Sequence, residues 1–146
     1  MLKKIGLIAA IVFITIQLFT IDKGYKELNL KNDFLSLTKA PEEIKTLIQN
    51  SCYDCHSNQT NYPWYSNIAP ISWYIESHIK EAKHHLNFSE WSTYPLKKAN
   101  HKLEECVEEI EEQKMPTSNY ILLHSQAQLT KEQITILANW FKNQMR

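Results

Sequence analysis

The chain is 146 residues long with no formal net charge, a length that accommodates one ordinary domain. From Asp22 onward 14 basic side chains stand against 16 acidic ones, and no basic stripe interleaves with aromatic residues, so no nucleic-acid partner is expected. Three cysteines are an odd count, which argues against a disulfide-stapled miniprotein, and the absence of glycine after Gly24 argues against a meander of tight hairpins.

Residues 1–22 open with Lys3 and Lys4 and then run apolar from Ile5 to Ile21, broken only by Thr15, Gln17 and Thr20. Seventeen such residues in a helix span about 25 Å, the short end for a bilayer crossing. The leading lysines suit an N-terminus kept in the cytoplasm. No A-x-A-like cleavage site follows, so an uncleaved anchor is preferred to a cleaved signal peptide. Residues 23–40 are polar, mixed and without period, and are expected to form a linker holding the domain off the membrane.

The folded domain is expected over 41–146, all-α. Its first helix should start at Pro41, with Glu42 and Glu43 in the first turn and Ile44, Leu47 and Ile48 on one face. It leads into Cys52-Tyr53-Asp54-Cys55-His56. An aromatic loop follows, with Tyr62, Pro63, Trp64 and Tyr65. A second helix should start at Pro70, burying a stripe of Ile71, Tyr74, Ile75, His78, Ile79, Ala82 and Leu86. A third begins near Pro95 with Leu103, Cys106, Val107 and Ile110 on its apolar face. Six glutamates between 104 and 112 crowd its second half, where the helix dipole disfavours anions. Met115-Pro116 stops it. The last helix has a capping box, Thr130 with Gln133, and a staple of Leu129 with Ile134. Ile134, Leu137, Ala138 and Phe141 should face inward, with Trp140 on the flank.

The C-x-x-C-H run suits covalent haem. Two thiols three apart on a helical turn can add to the two vinyl groups along one haem edge, and the adjacent His56 can reach the iron. A zinc site from Cys52, Cys55, Cys106 and a histidine is a rival, although Cys106 falls on an apolar helix face, where a buried structural thiol is commoner. A thioredoxin-like redox pair is another, but it normally follows a strand.

An amphipathic helix into C-x-x-C-H, a Met-Pro 59 residues after His56 and a closing aromatic helix together resemble class I cytochromes c over residues 41–144. A closer resemblance lies in Cys52 to Asn58, Tyr62 to Pro70, His85 to Trp91 and Met115-Pro116: these stretches resemble the bacterial haem-binding domain family of single-haem proteins. The resemblance implies one covalent haem c around which a small cytochrome c-like helical domain folds, loaded by the cytochrome c maturation machinery outside the cytoplasmic membrane.

For the other face of the iron, Met115 is the leading candidate, since it is the one methionine between Met1 and Met145 and Met/His ligation is usual in cytochromes c. His78 is the runner-up, on an otherwise apolar stripe, although a lone histidine there is more often a hydrogen-bonded core residue. His84 and His85 suit a solvated helix end, while His101 and His124 lack distinctive context. The expected function is a membrane-tethered electron carrier on the periplasmic side, serving a redox partner protein or respiratory complex. The alternative is a peroxidase-like enzyme or haem sensor with an open sixth position, His78 then being the acid–base candidate. The glutamates of 104–112 are expected to be a solvated helix face rather than a docking site.

Overall fold

A computed structural model describes residues 1–24 and 27–146. Among them the chain is helical, with no strand. Helix α1 covers Leu2–Ile16 and buries none of its residues. Its fifteen residues span about 22 Å. No helix among the described residues is long and apolar enough to cross a membrane.

The stretch expected to be a linker is in part domain, residues 25–26 of it lying outside the described residues. Helix α2, Phe34–Thr38, is capped by Asp33, whose carboxylate accepts from the Ser36 backbone N–H. Phe34 is fully buried and stacks at 5.1 Å on Phe88, with Trp91, Trp140 and Phe141 around it. Ser92 donates to the Asn32 side chain at 2.8 Å. A polar composition concealed one large apolar residue whose partners lie more than fifty positions away.

Helix α3, Glu42–Ile48, starts after Pro41 as expected and buries Ile44 and Ile48. The helix does not continue in α geometry: Gln49–Tyr53 forms a π-helical turn, followed by the short α4, Asp54–His56. After a 3₁₀ turn at Trp64–Asn67 comes α5, Ile71–His85. Its expected stripe is only partly covered: Ile79 is buried and Leu86 beyond its end is too, Ile75 and Ala82 are half-buried, and Ile71, Tyr74 and His78 are exposed. The main neighbours of α5 are α4 and the 64–67 turn, which leave the side bearing Tyr74 and His78 open. Periodicity marked an apolar face correctly but could not say what covers it.

Helix α6, Leu96–Glu111, lies along α8, Lys131–Gln144, and α8 also touches α3. Leu103, Val107 and Ile110 meet Leu137, Ala138 and Phe141 in one core with Ile48, Phe34 and Phe88. The capping box of Thr130 and Gln133 is formed in full. The glutamate-rich end of α6 is largely paired: Glu105 with Lys102 and His101, Glu111 with Lys142 at 2.8 Å, and Glu112 with Lys114. The lysines among these partners answer the unfavourable dipole position. Between α6 and α8 the short helix α7, Ser118–Leu123, was not expected from the sequence.

Candidate functional site

Cys52, Cys55 and His56 sit where the π turn passes into α4, on a segment held from both sides. Tyr53 points into the core, stacks on Phe88 at 5.5 Å and donates its phenol to the buried Asp33 carboxylate at 2.9 Å. Asp54 points the other way: it accepts from the Tyr120 phenol at 2.6 Å and the Asn61 backbone N–H at 2.8 Å. The two residues between the cysteines therefore fix the roll of the helix end. Ser51 adds a third tie, donating to the Ala127 carbonyl at 3.1 Å.

His56 closes α4, and the chain turns away at the fully buried Ser57. The Ser57 hydroxyl donates to the Tyr53 carbonyl at 2.7 Å and accepts from the Gln59 N–H. The His56 ring Nδ1 lies 3.1 Å from the Leu86 carbonyl. A carbonyl only accepts, so Nδ1 carries the hydrogen and Nε2 keeps its lone pair. Burial, opposed by the Leu86 and Ala82 carbonyls, lowers the His56 pKa and favours the neutral ring. A neutral imidazole with Nδ1 tied to a backbone carbonyl is the form that ligates a metal through Nε2.

The carbonyl is itself fixed. Leu86 leaves α5 in extended conformation with its N–H on the Ala82 carbonyl. The next residues are sewn to the segment after the motif: Asn87 donates to the Asn58 side chain at 3.2 Å, and Asn58 N–H donates to Ser89 Oγ at 2.9 Å. Asn87 N–H reaches the Tyr94 phenol. The stretches Cys52–Asn58 and His85–Trp91, far apart in sequence, thus form one clamp around the histidine.

The three cysteines are free thiols, partly buried. Burial, with the neighbouring Cys55, pushes the Cys52 thiol up to about 12. Burial and the Asp54 carboxylate push Cys55 up to about 11. Cys106 is raised too, by burial first and then by Cys52. Among the described residues no three His, Cys, Asp or Glu side chains converge as a metal site, and no strand precedes the motif.

Met115 lies in the turn after α6, 38% exposed and outside the core cluster. Its backbone N–H bonds the Glu109 carbonyl at 3.1 Å. The turn leads into α7, whose Tyr120 bonds Asp54 of the motif. His78 is exposed, its Nδ1 on the Tyr74 carbonyl and its ring 4.0 Å from that of Tyr74. His84 is exposed, and so is His85, paired with Glu81. His101 is exposed and pairs with Glu104 and Glu105.

His124 has the context that the sequence did not reveal. Its ring stacks on Tyr120 at 4.1 Å, and its Nδ1 lies 3.1 Å from the Tyr120 carbonyl. Nε2 is therefore free to accept the Tyr65 hydroxyl, 3.2 Å away. Tyr65, His124, Tyr120 and Asp54 make a continuous polar path from the aromatic loop to the motif. The i, i+4 spacing of Tyr120 and His124 was the available signal, although nothing in it pointed to Asp54.

The residues present fit a covalent haem: two thiols three apart at a helix end, and one imidazole with its outer nitrogen preset as a ligand. A family profile described as a haem-binding domain matches residues 11–143. No curated protein and no solved structure matches the chain.

Proposed function

Because the chain belongs to the haem-binding domain family, we propose that it carries one haem c on Cys52 and Cys55, with His56 Nε2 as the proximal ligand, and passes single electrons. The observation that carries this reading is the His56 Nδ1–H held on the Leu86 carbonyl at 3.1 Å. It leaves the other ring nitrogen its lone pair, the form in which an imidazole would take up iron. Haem supplies a one-electron Fe(III)/Fe(II) couple whose potential depends on the axial ligands.

The protein's own residues do the rest. Tyr53 and Asp54 fix the helix end so that both thiols keep their spacing, and the Asn58–Asn87–Ser89 bonds keep the histidine from rotating. Helix α7, tied to the motif through Tyr120 and Asp54, also carries the uncovered apolar side chains Leu122 and Leu123, apolar surface that a macrocycle would cover. Met115 is proposed as the second residue that would hold the iron, supported by its place in the turn leading into α7, whose Tyr120 bonds Asp54 of the motif. Its exposure outside the core favours the second reading, an open sixth position and a haem enzyme or sensor.

We further propose that α1 tethers the domain to the outer face of the cytoplasmic membrane, where the maturation machinery would load the haem and a redox partner or respiratory complex would meet it. Its apolar surface, with no residue buried, supports this reading.

The test is a visible spectrum of the full chain from a strain that matures c-type cytochromes, with a Cys52→Ser, Cys55→Ser double variant beside it. The wild type should keep haem through denaturing electrophoresis, and the variant should lose it. A haem-stained denatured band from the double variant would overturn the attachment. A low-spin spectrum supports the carrier; a high-spin ferric spectrum that shifts on adding cyanide supports the open site.

A further inference from the structure

An apolar helix with no buried residue normally connects to its domain through a loose tether. Here the junction is built. Gln17, one residue past the end of α1, pairs twice with Ala69: its side-chain nitrogen donates to the Ala69 carbonyl at 3.1 Å, and its oxygen accepts the Ala69 N–H at 2.9 Å. Trp73 Nε1–H donates to the Phe19 carbonyl at 2.8 Å. Lys23 reaches the Asn67 side chain at 2.7 Å and lies over the Tyr62 ring. The end of the apolar segment is thus fastened to the stretch 62–74, the aromatic loop and the first turn of α5, at four residues.

That stretch is rich in the side chains of a membrane–water boundary. Trp64 is 75% exposed, and Ile71, Trp73 and Tyr74 are exposed beside it. Leu18 and Phe19, where α1 ends, are exposed as well. A helix apolar from Ile5 to Ile14 that runs into a cluster of Trp and Tyr, with a lysine at the rim, has the layered chemistry of a hydrocarbon core followed by an aromatic belt. A protein partner would cover one side of α1, but its apolar residues are uncovered all round: Ile5, Leu7, Ile8, Ile11, Phe13 and Ile14. A bilayer covers every side at once.

From this we infer that Trp64, Trp73 and Tyr74 form a lipid-contacting face, and that the domain is pinned flush on a phospholipid bilayer instead of being held off it. The inference rests on the tether reading, and the two fail differently. The full-length haem protein is reconstituted into vesicles of phosphatidylcholine and phosphatidylglycerol, with or without bromine on the acyl chains near the headgroup. Tryptophan emission and co-sedimentation are read together. The four tryptophans divide evenly, because Trp91 and Trp140 pack on the core. Brominated lipid should quench the wild type, and a Trp64→Phe, Trp73→Phe variant should lose most of that quenching while still sedimenting. Gln17→Leu, which keeps the segment apolar, should sediment normally and also be quenched less. Protein that sediments with vesicles but is quenched no differently from the double variant, or a Gln17→Leu variant quenched like wild type, would overturn the flush docking alone. Protein that stays in the supernatant would overturn the tether as well.

Discussion

Replacing Phe34 with alanine removes a ring that joins the motif to the rest of the core. Tyr53 stacks on Phe88, Phe88 on Phe34, and Phe34 meets Trp140 at 5.5 Å and Phe141 at 6.1 Å, so one aromatic column runs from between the two cysteines to α8. Phe34 has no exposed surface, so the cavity opens where neighbouring helices cannot easily collapse, and Phe→Ala at such a site costs about 3–5 kcal/mol. That is a large share of the roughly 5–15 kcal/mol that holds a domain together. In urea it should move the unfolding midpoint down by about 2 M at unchanged slope. Phe34→Leu keeps most of the volume and should cost about 1–2 kcal/mol. The assay is tryptophan emission or circular dichroism against urea, run on protein with equal haem content. A loss below about 1 kcal/mol for the alanine variant would refute the assignment of residues 33–38 to the domain core.

Four further outcomes follow from the site. Met115→Ala should leave haem attached, abolish a low-spin spectrum and lower the reduction potential, whereas His78→Ala should leave the spectrum unchanged; the reverse would make His78 the ligand. Tyr120→Phe deletes the bond to Asp54 at 2.6 Å and should cost about 1 kcal/mol in urea unfolding; no loss would mean the contact is spectator. In folded protein without haem, the Cys55 thiol near pKa 11 should react with iodoacetamide at neutral pH on the order of 100-fold slower than after unfolding, read by mass spectrometry. The Tyr53 and Tyr120 phenols are held above their ordinary pKa, by burial first and then by Asp33 and Asp54. Their raised folded pKa contributes stability present below pH about 10 and lost as pH rises through the folded values. Unfolding midpoints should therefore fall above that pH, and less steeply in a Tyr53→Phe, Tyr120→Phe variant.

The parts legible in sequence were those with local causes. Pro41, Pro70 and Pro95 each stand just before a helix, because proline's fixed φ suits that position, and Thr130 with Gln133 marked α8 through a bond four residues wide. The motif announced itself because its spacing is a property of one helical turn. Three features stayed hidden. Helix α2 has five residues, too few to show a period, and its Asp33 cap was masked by polar neighbours. The open side of α5 could not be told from a buried one, since periodicity reports a face and not a partner. The Leu86 carbonyl and the Asp54–Tyr120–His124 path rest on contacts across 30 and 66 positions, and a carbonyl has no residue type by which to be recognised.

The π turn at Gln49–Tyr53 makes the motif's aim a matter of arithmetic. Upstream of it, Ile44 and Ile48 are committed to the core; downstream, His56 is committed to the Leu86 carbonyl. The wider turn holds one residue more than an α turn would, and π turns of this sort gather at functional sites. Deleting one residue among Gln49 and Asn50, both exposed, would restore ordinary winding and swing everything after it by about 100°. Composition and charge would hardly change, yet the thiols, the imidazole and the core side chain of Tyr53 would point elsewhere. A chain of this kind tolerates many substitutions at those two positions and no change in their number, so natural variation there should be rich in letters and free of gaps.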